Sequence, residues 1–381
     1  MAAAPLHVVS VQTTGEKGGA EYSNVDLMHG LAERGARVKL LTNFPEIAEG
    51  VGVPVREVDL GPKLSRRTVV KVALGFVPWL VRLLRELRRE RAENGPIDVL
   101  LVHYKKEQLM AALVPRRLAR AVVWAEWGPV PFEFRRGLPR LLYRLAARRA
   151  ARIAAISAGT KRSIEELGVP GDKIEVVPNA MDVAEIQFDS EARERYRGEW
   201  GASDGTFVIG TVSRLHPKKR NDVLIESLAD LDGDVLLVLA GDGDDEPRLR
   251  DLASRDPERV RFMPTPRGFA GKVLSAFDVA LCAPAPTEGA PGSIVMAQLA
   301  ARPVVATAPQ GAADMLVDDT GTVISPPDDP HALARTLDEY RADPERRRAE
   351  GERARAHAEV RYDRVRVEDS FDRLVRDAAR S

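Results

Sequence analysis

The sequence predicts an α/β protein made of two doubly wound parallel sheets. Three observations carry this expectation. Short apolar runs of strand length alternate with helical stretches along almost the whole chain. The alternation is interrupted once, near Pro178 to Asp189, and then resumes. The chain has 381 residues, too many for one ordinary core and comfortable for two.

Leu6 to Val11 reads as the first strand, and a glycine-bearing loop with Gly15, Gly18 and Gly19 follows it. A helical stretch runs from Glu21 to Glu33, and Val38 to Thr42 is the next strand. Ile97 to Val102, Val122 to Trp124 and Ile153 to Ile156 continue the series. Val69 to Arg91 and Leu138 to Arg152 are arginine-rich stretches with helical apolar spacing. The second half repeats the pattern. Phe207 to Val212 is a strand, Asp222 to Ala229 opens a helix, and Asp234 to Ala240 is a buried strand ending in Gly241-Asp242-Gly243. Val260 to Met263, Val279 to Ala283, Val304 to Thr307 and Thr322 to Ile324 are further strands, and one long charged helix is expected from about Pro330. The expected division is 1–183 and 184–365, with 366–381 a helix returning to the first domain. Ligands of doubly wound sheets sit at the carboxyl ends of the strands, so both sets of strand-end loops are expected to face a cleft between the domains.

Hydrophobic residues make up 44% of the chain and charged residues 30%, the balance of a soluble globular protein. A single cysteine, Cys282, excludes a disulfide within the chain and suits a reducing compartment. No basic segment followed by a long apolar stretch opens the sequence. The longest apolar stretch, Val69 to Leu84, is broken by Lys71, Pro78 and Arg82, so a cytoplasmic location is expected. The net charge of zero hides an asymmetry. Residues 1–185 carry 29 Lys and Arg against 21 Asp and Glu, a net +8, and the remainder carries a net −8. Two readings of the basic half stand side by side: solvated helices packed on a sheet, or contact with an anionic acceptor or the inner face of a membrane. Nucleic acid is not an expected partner, because the basic helices carry no interleaved aromatic platforms and the total charge is zero.

Three segments carry residues suited to chemistry. Gly18 and Gly19 lie between a strand and a helix, where amides without a Cβ can approach a phosphate, although a plain turn looks the same. Arg214 and Lys219, in Ser213-Arg214-Leu215-His216-Pro217-Lys218-Lys219, follow a strand. Two fixed cations there can stabilise the charge on a departing diphosphate. Glu288 follows another strand and can hold sugar hydroxyls. Gly289 and Gly292 leave amides near Ser293 and Ile294 open to phosphate at the start of the next helix. The simpler reading of that segment is a capping loop. The acidic run Gly241 to Asp245 reads as a turn, not a metal site.

Taken together these segments resemble the retaining glycosyltransferases of family 4, which have the GT-B fold, two Rossmann-like domains facing a cleft. The resemblance covers nearly the whole chain. It rests on Gly18-Gly19-Ala20-Glu21, Ala155-Ile156-Ser157 with Thr160, Val177-Pro178-Asn179-Ala180-Met181-Asp182, Ser213-Arg214-Leu215 with Lys219, Ala240-Gly241-Asp242-Gly243, Glu288 to Pro303, and Pro326 to Leu333. It implies transfer of a sugar from a nucleoside-diphosphate sugar to an acceptor hydroxyl, with neither metal nor cofactor. Arg214 and Lys219 would hold the diphosphate and Glu288 the donor sugar. Amides near Ser293 and Ile294 would meet phosphate, and Gly18 and Gly19 would close over the donor. Three acceptor classes stay open at this point: small metabolite, glycan and lipid.

The chain departs from the family pattern in places. Met296 stands where a second glutamate usually holds the ribose hydroxyls. A charged hydrogen bond of that kind is worth about 1.5–3 kcal/mol, so nucleotide binding is expected to be weakened or re-aimed. Glu126 or Trp127 stands where a histidine is usual, and His103 ends an apolar strand; all three are candidates for acceptor contact, with packing as the alternative. Ala180 and Ser213 replace glycines. These departures leave two other readings: a degenerate, non-catalytic partner, and an epimerase or phosphorylase of the same architecture.

Overall fold

The computed structural model describes residues 5–13, 18–264, 268–285, 288–307, 311–317, 319–326 and 328–381. It divides into two compact units, Met1–Ala180 with Val365–Ser381, and Met181–Arg364.

The first unit holds a seven-stranded sheet in the order β3-β2-β1-β4-β5-β6-β7. Its strands are β1 (His7–Gln12), β2 (Arg37–Thr42), β3 (Val55–Glu57), β4 (Ile97–Val102), β5 (Ala119–Glu126), β6 (Arg152–Ala155) and β7 (Ile174–Val176). Every pairing is parallel. Helices α1 (Gly19–Glu33), α2 (Val69–Asn94), α3 (Lys105–Ala111), α4 (Gly137–Ala147) and α5 (Ala158–Glu165) cover it. β1 is fully buried, as a central parallel strand must be, with Val8, Val9 and Val11 in the core and His7, Ser10 and Gln12 as its buried polar members. Strand order reverses between β1 and β4, so the loops after these two strands flank the switch point where such sheets bind ligands.

The second unit holds a six-stranded parallel sheet in the order β10-β9-β8-β11-β12-β13. Its strands are β8 (Phe207–Val212), β9 (Val235–Ala240), β10 (Val260–Met263), β11 (Val279–Cys282), β12 (Val304–Ala306) and β13 (Gly321–Val323). Its helices are α6 (Ser190–Trp200), α7 (Asn221–Glu226), α8 (Glu246–Ala253), α9 (Ala270–Ser275), α10 (Gly292–Leu299), α11 (Pro330–Ala342) and α12 (Pro344–Arg361). The order reverses between β8 and β11, which brings the loops after those strands together. The final helix, α13 (Arg364–Arg380), belongs to the first unit. Its Val367, Phe371, Leu374 and Val375 share a core with Val25, Leu27, Met28 and Leu31 of α1, and Arg34 pairs with Glu368 at 2.8 Å.

The expected single closing helix is three helices. Pro344 has no amide to continue α11, and the Asp343 carboxylate instead caps the next helix by accepting from the Arg346 amide at 2.9 Å. A second break falls at Tyr362–Asp363, where Asp363 bridges to Met181. The helix expected over Leu138 to Arg152 stops at Ala147, because Arg152 already belongs to β6.

Candidate functional site

In the second unit, the site grows from the two loops at the switch point. After β8 the chain passes through Ser213, Arg214 and Leu215 into a short 3₁₀ turn over Pro217–Lys219. The turn after β9 lies directly against this loop. Ser213 donates its amide to the Ala240 carbonyl at 3.0 Å, and Leu215 donates to that of Asp242 at 2.7 Å. The contact is so close that only glycine fits. At Gly241 (φ +145°) a Cβ would stand 2.0 Å from the Ser213 carbonyl oxygen, and at Gly243 (φ +152°) 2.2 Å from that of Leu215. Asp245, next in the turn, is held below the usual carboxylate range by its hydrogen bonds from Arg248. The acidic run is therefore a clamp that fixes the basic loop.

The loop after β11 meets the basic loop through a hydrogen bond that the Ala285 amide donates to the Lys218 carbonyl at 2.7 Å. It then presents Glu288, whose Oε1 forms an ion pair with Lys219 Nζ. Glu288 Oε2 and Ser213 Oγ are buried without a hydrogen-bond partner among the described residues. Gly311, absent from the expected residues, lets its segment lie against this loop. A Cβ there would come 2.5 Å from the Glu288 carbonyl oxygen and 2.7 Å from that of Gly289. Arg214 is exposed and makes no hydrogen bond or ion pair among the described residues. Its guanidinium is available to an anion.

α10 begins at Gly292, and Gly292, Ser293 and Met296 are its partly exposed residues; Ile294, Val295, Ala297, Gln298 and Leu299 are buried. The Ile294 amide donates to the Pro291 carbonyl at 3.1 Å, so the open amides at this end are those of Gly292 and Ser293. Met296, like Met181, Ala290 and Leu316, is partly buried and packs against the edge of the core that includes Ile294, Val295 and Met315. Cys282 Sγ lies 3.6 Å from Ser293 Oγ, and burial pushes the thiol up to about 12, so it stays neutral.

In the first unit, Gly18 caps α1 in an extended conformation, with its carbonyl accepting from the Tyr22 amide. His103 follows β4 and is buried. Trp127 Nε1–H donates to its Nδ1 at 3.1 Å, which leaves the proton on Nε2 facing Ser10 Oγ at 2.9 Å. Burial pulls His103 down to about 3, so it is neutral at physiological pH. The network continues from Ser10 to Asn24 and Gln12, and the Tyr104 hydroxyl donates to Glu21. Glu126 is buried and saturated: Lys105 Nζ reaches both of its oxygens, at 2.6 and 2.5 Å, and the Tyr143 hydroxyl and Gln108 Nε2 donate to Oε1. In this arrangement His103 and Glu126 orient neighbouring groups, whereas Trp127 is partly exposed. Gly19 has open space around it.

Sequence reasoning missed Tyr104, Lys105 and Ser10, and gave Glu21 no role beyond its place in the first glycine segment. Tyr104 and Lys105 directly follow His103 at a strand end, and that position was a usable signal. Glu107 was missed too. It is buried, accepts from Thr13 Oγ1, has an Oε2 without a partner among the described residues, and is pushed up by burial.

Two family models match the chain. Glycosyltransferase Family 4 matches residues 17–185, and Glycosyl transferases group 1 matches residues 192–357. The 2-deoxystreptamine glucosyltransferase of Streptomyces kanamyceticus is 29% identical over 369 residues, covering 90% of this chain and 92% of that protein. The D-inositol 3-phosphate glycosyltransferase of Xylanimonas cellulosilytica is 26% identical over 394 residues, covering 91% and 88%. Among solved structures, Anabaena Alr3699/HepE in complex with UDP-glucose superposes with a TM-score of 0.80 at 20% identity, covering 97% of this chain and 99% of that one. Sucrose-phosphate synthase from Thermosynechococcus elongatus does so with a TM-score of 0.80 at 15% identity, covering 97% and 98%. These neighbours fit two Rossmann-like domains of the GT-B fold.

Proposed function

The chain belongs to glycosyltransferase family 4 and is a glycosyltransferase, and on that premise we propose that it is a retaining, metal-independent enzyme using a nucleoside-diphosphate sugar. The observation that carries this reading is the Lys219–Glu288 pair, which joins the loops after β8 and β11. It sets a cation suited to a diphosphate beside a carboxylate suited to sugar hydroxyls. HepE, solved with UDP and with UDP-glucose, supports the donor class.

In the reaction, the bond between the anomeric carbon and the phosphate oxygen breaks. Negative charge grows on the diphosphate, and Arg214 and Lys219 stabilise it, the service that a divalent cation gives in other enzymes. The acceptor oxygen bonds to the anomeric carbon on the face the phosphate leaves. Its proton passes to the departing phosphate oxygen. No protein nucleophile is needed, and the neutral thiol of Cys282 is not one. The relatives named for 2-deoxystreptamine and D-inositol 3-phosphate favour a polyhydroxylated ring as the acceptor, with Trp127 as the side chain able to stack on it.

The test is proton NMR of the product formed from α-linked nucleotide sugars and cyclitol acceptors in excess EDTA. An α-linked product at an undiminished rate is expected. A β-linked product, or loss of turnover on chelation, overturns the reading.

A further inference from the structure

The outer surface of the first unit carries a feature that sugar transfer does not use. Among the described residues, nine of the fifteen large exposed hydrophobics lie on two helices, α2 and α4. On α2, Val70, Leu74, Val77 and Val81 follow one another at spacings of four, three and four residues, a single stripe pointing away from the core. Leu74 is 80% exposed. On α4, Leu138, Leu141, Leu142 and Leu145 form a second outward stripe, and Phe132 stands exposed just before it.

The two stripes belong to one side of the sheet. Leu83 and Leu87 of α2 share a core with Tyr143, Ala146 and Ala147 of α4. Arg66, just before α2, pairs with Glu133, just before α4, at 2.5 Å. A core helix hides such residues; here the inner faces are already buried and the outer faces are apolar as well.

Charge identifies the occupant. Residues 60–85 hold six Lys and Arg and no Asp or Glu, and residues 134–164 hold nine and none. Arg67, Lys71, Arg82, Arg85, Arg136, Arg144 and Arg148 are exposed around the stripes. A second copy of the same face would set cations against cations. No described helix is long and apolar enough to cross a membrane, so these stripes fit a surface contact and not a spanning segment.

We infer that the outer faces of α2 and α4 form an interfacial docking surface for an anionic lipid bilayer, with the valine and leucine stripes entering the headgroup boundary and the surrounding arginines facing lipid phosphates.

Cosedimentation with vesicles tests this, using an equal mixture of phosphatidylcholine and phosphatidylglycerol against phosphatidylcholine alone. Binding is expected to the mixed vesicles, to weaken with salt, and to fall about fivefold for each arginine removed from the patch. The double variant Leu74→Glu/Leu141→Glu is expected to lose more than tenfold in binding. Both positions are exposed, so its circular dichroism and nucleotide affinity should match the parent. Three results overturn the inference: no binding to the mixed vesicles, equal binding to both compositions, or a parent dimer in sedimentation velocity that the double variant dissolves.

Discussion

Replacing Glu288 with glutamine separates what the Lys219–Glu288 pair does for folding from what it does for transfer. Both side chains keep about a quarter of their surface, 22% for Lys219 and 26% for Glu288. A pair that exposed contributes at most about 1 kcal/mol to stability. For a unit of this size, that shifts Tm by roughly 2–4 °C. The functional cost is larger. A carboxylate accepting from a sugar hydroxyl is worth about 1.5–3 kcal/mol, so turnover with saturating acceptor should fall about 10- to 150-fold. The same change frees the Lys219 charge, so the bare nucleoside diphosphate should bind more tightly. Calorimetry for nucleotide binding and a coupled assay for nucleotide release read the two effects on one sample. A large fall in Tm with unchanged turnover per folded molecule would make Glu288 a structural residue and refute the assignment.

Other expectations follow from particular contacts. His103 titrates near 3 in the fold, because burial disfavours its charged form, against about 6.5 when unfolded. Between these values the unfolded chain binds a proton that the folded chain does not, so stability is lost as pH falls below about 6.5. Between pH 6.5 and 5 the loss is about 2 kcal/mol, and in His103→Asn a urea titration over that range should show a correspondingly shallower slope. Gly241→Ala should cost more than about 3 kcal/mol, from strain and overlap with the Ser213 carbonyl; parent-like stability in urea would mean that the clamp does not fix the basic loop. Met296→Glu should improve binding of a ribonucleoside diphosphate about 10-fold or more over its 2′-deoxy analogue. Equal gains for both would show that residue 296 does not face the ribose.

The strands of both sheets were legible where they are central. Parallel strands buried on both faces are continuous apolar runs, as in Val235–Ala240 and in the Val99–Val102 part of β4. The edge strands Val55–Glu57 and Ile174–Val176 were not, because three residues with a charged member carry no periodicity. The basic loop and Glu288 stood out by residue type and by following strands. Their meeting depends on the order reversal between β8 and β11, which no local pattern encodes. The Trp127–His103–Ser10 network was hidden for the same reason: its members are 24 and 93 residues apart. The helix breaks at Pro344 and Tyr362 were obscured by a charged, arginine-rich composition that looks uniformly helical.

The most direct test of donor binding by the loops after β8 and β11 is a thermal-shift panel of UDP, GDP, ADP, dTDP and CDP against the parent and Arg214→Ala. A nucleotide present at 100 times its Kd adds about 2.7 kcal/mol, which raises Tm by roughly 5–10 °C. At least one nucleotide is expected to give that shift in the parent and to lose most of it in Arg214→Ala. Shifts of equal size in both proteins, or none from any nucleotide, would contradict the placement of the donor diphosphate at Arg214 and Lys219.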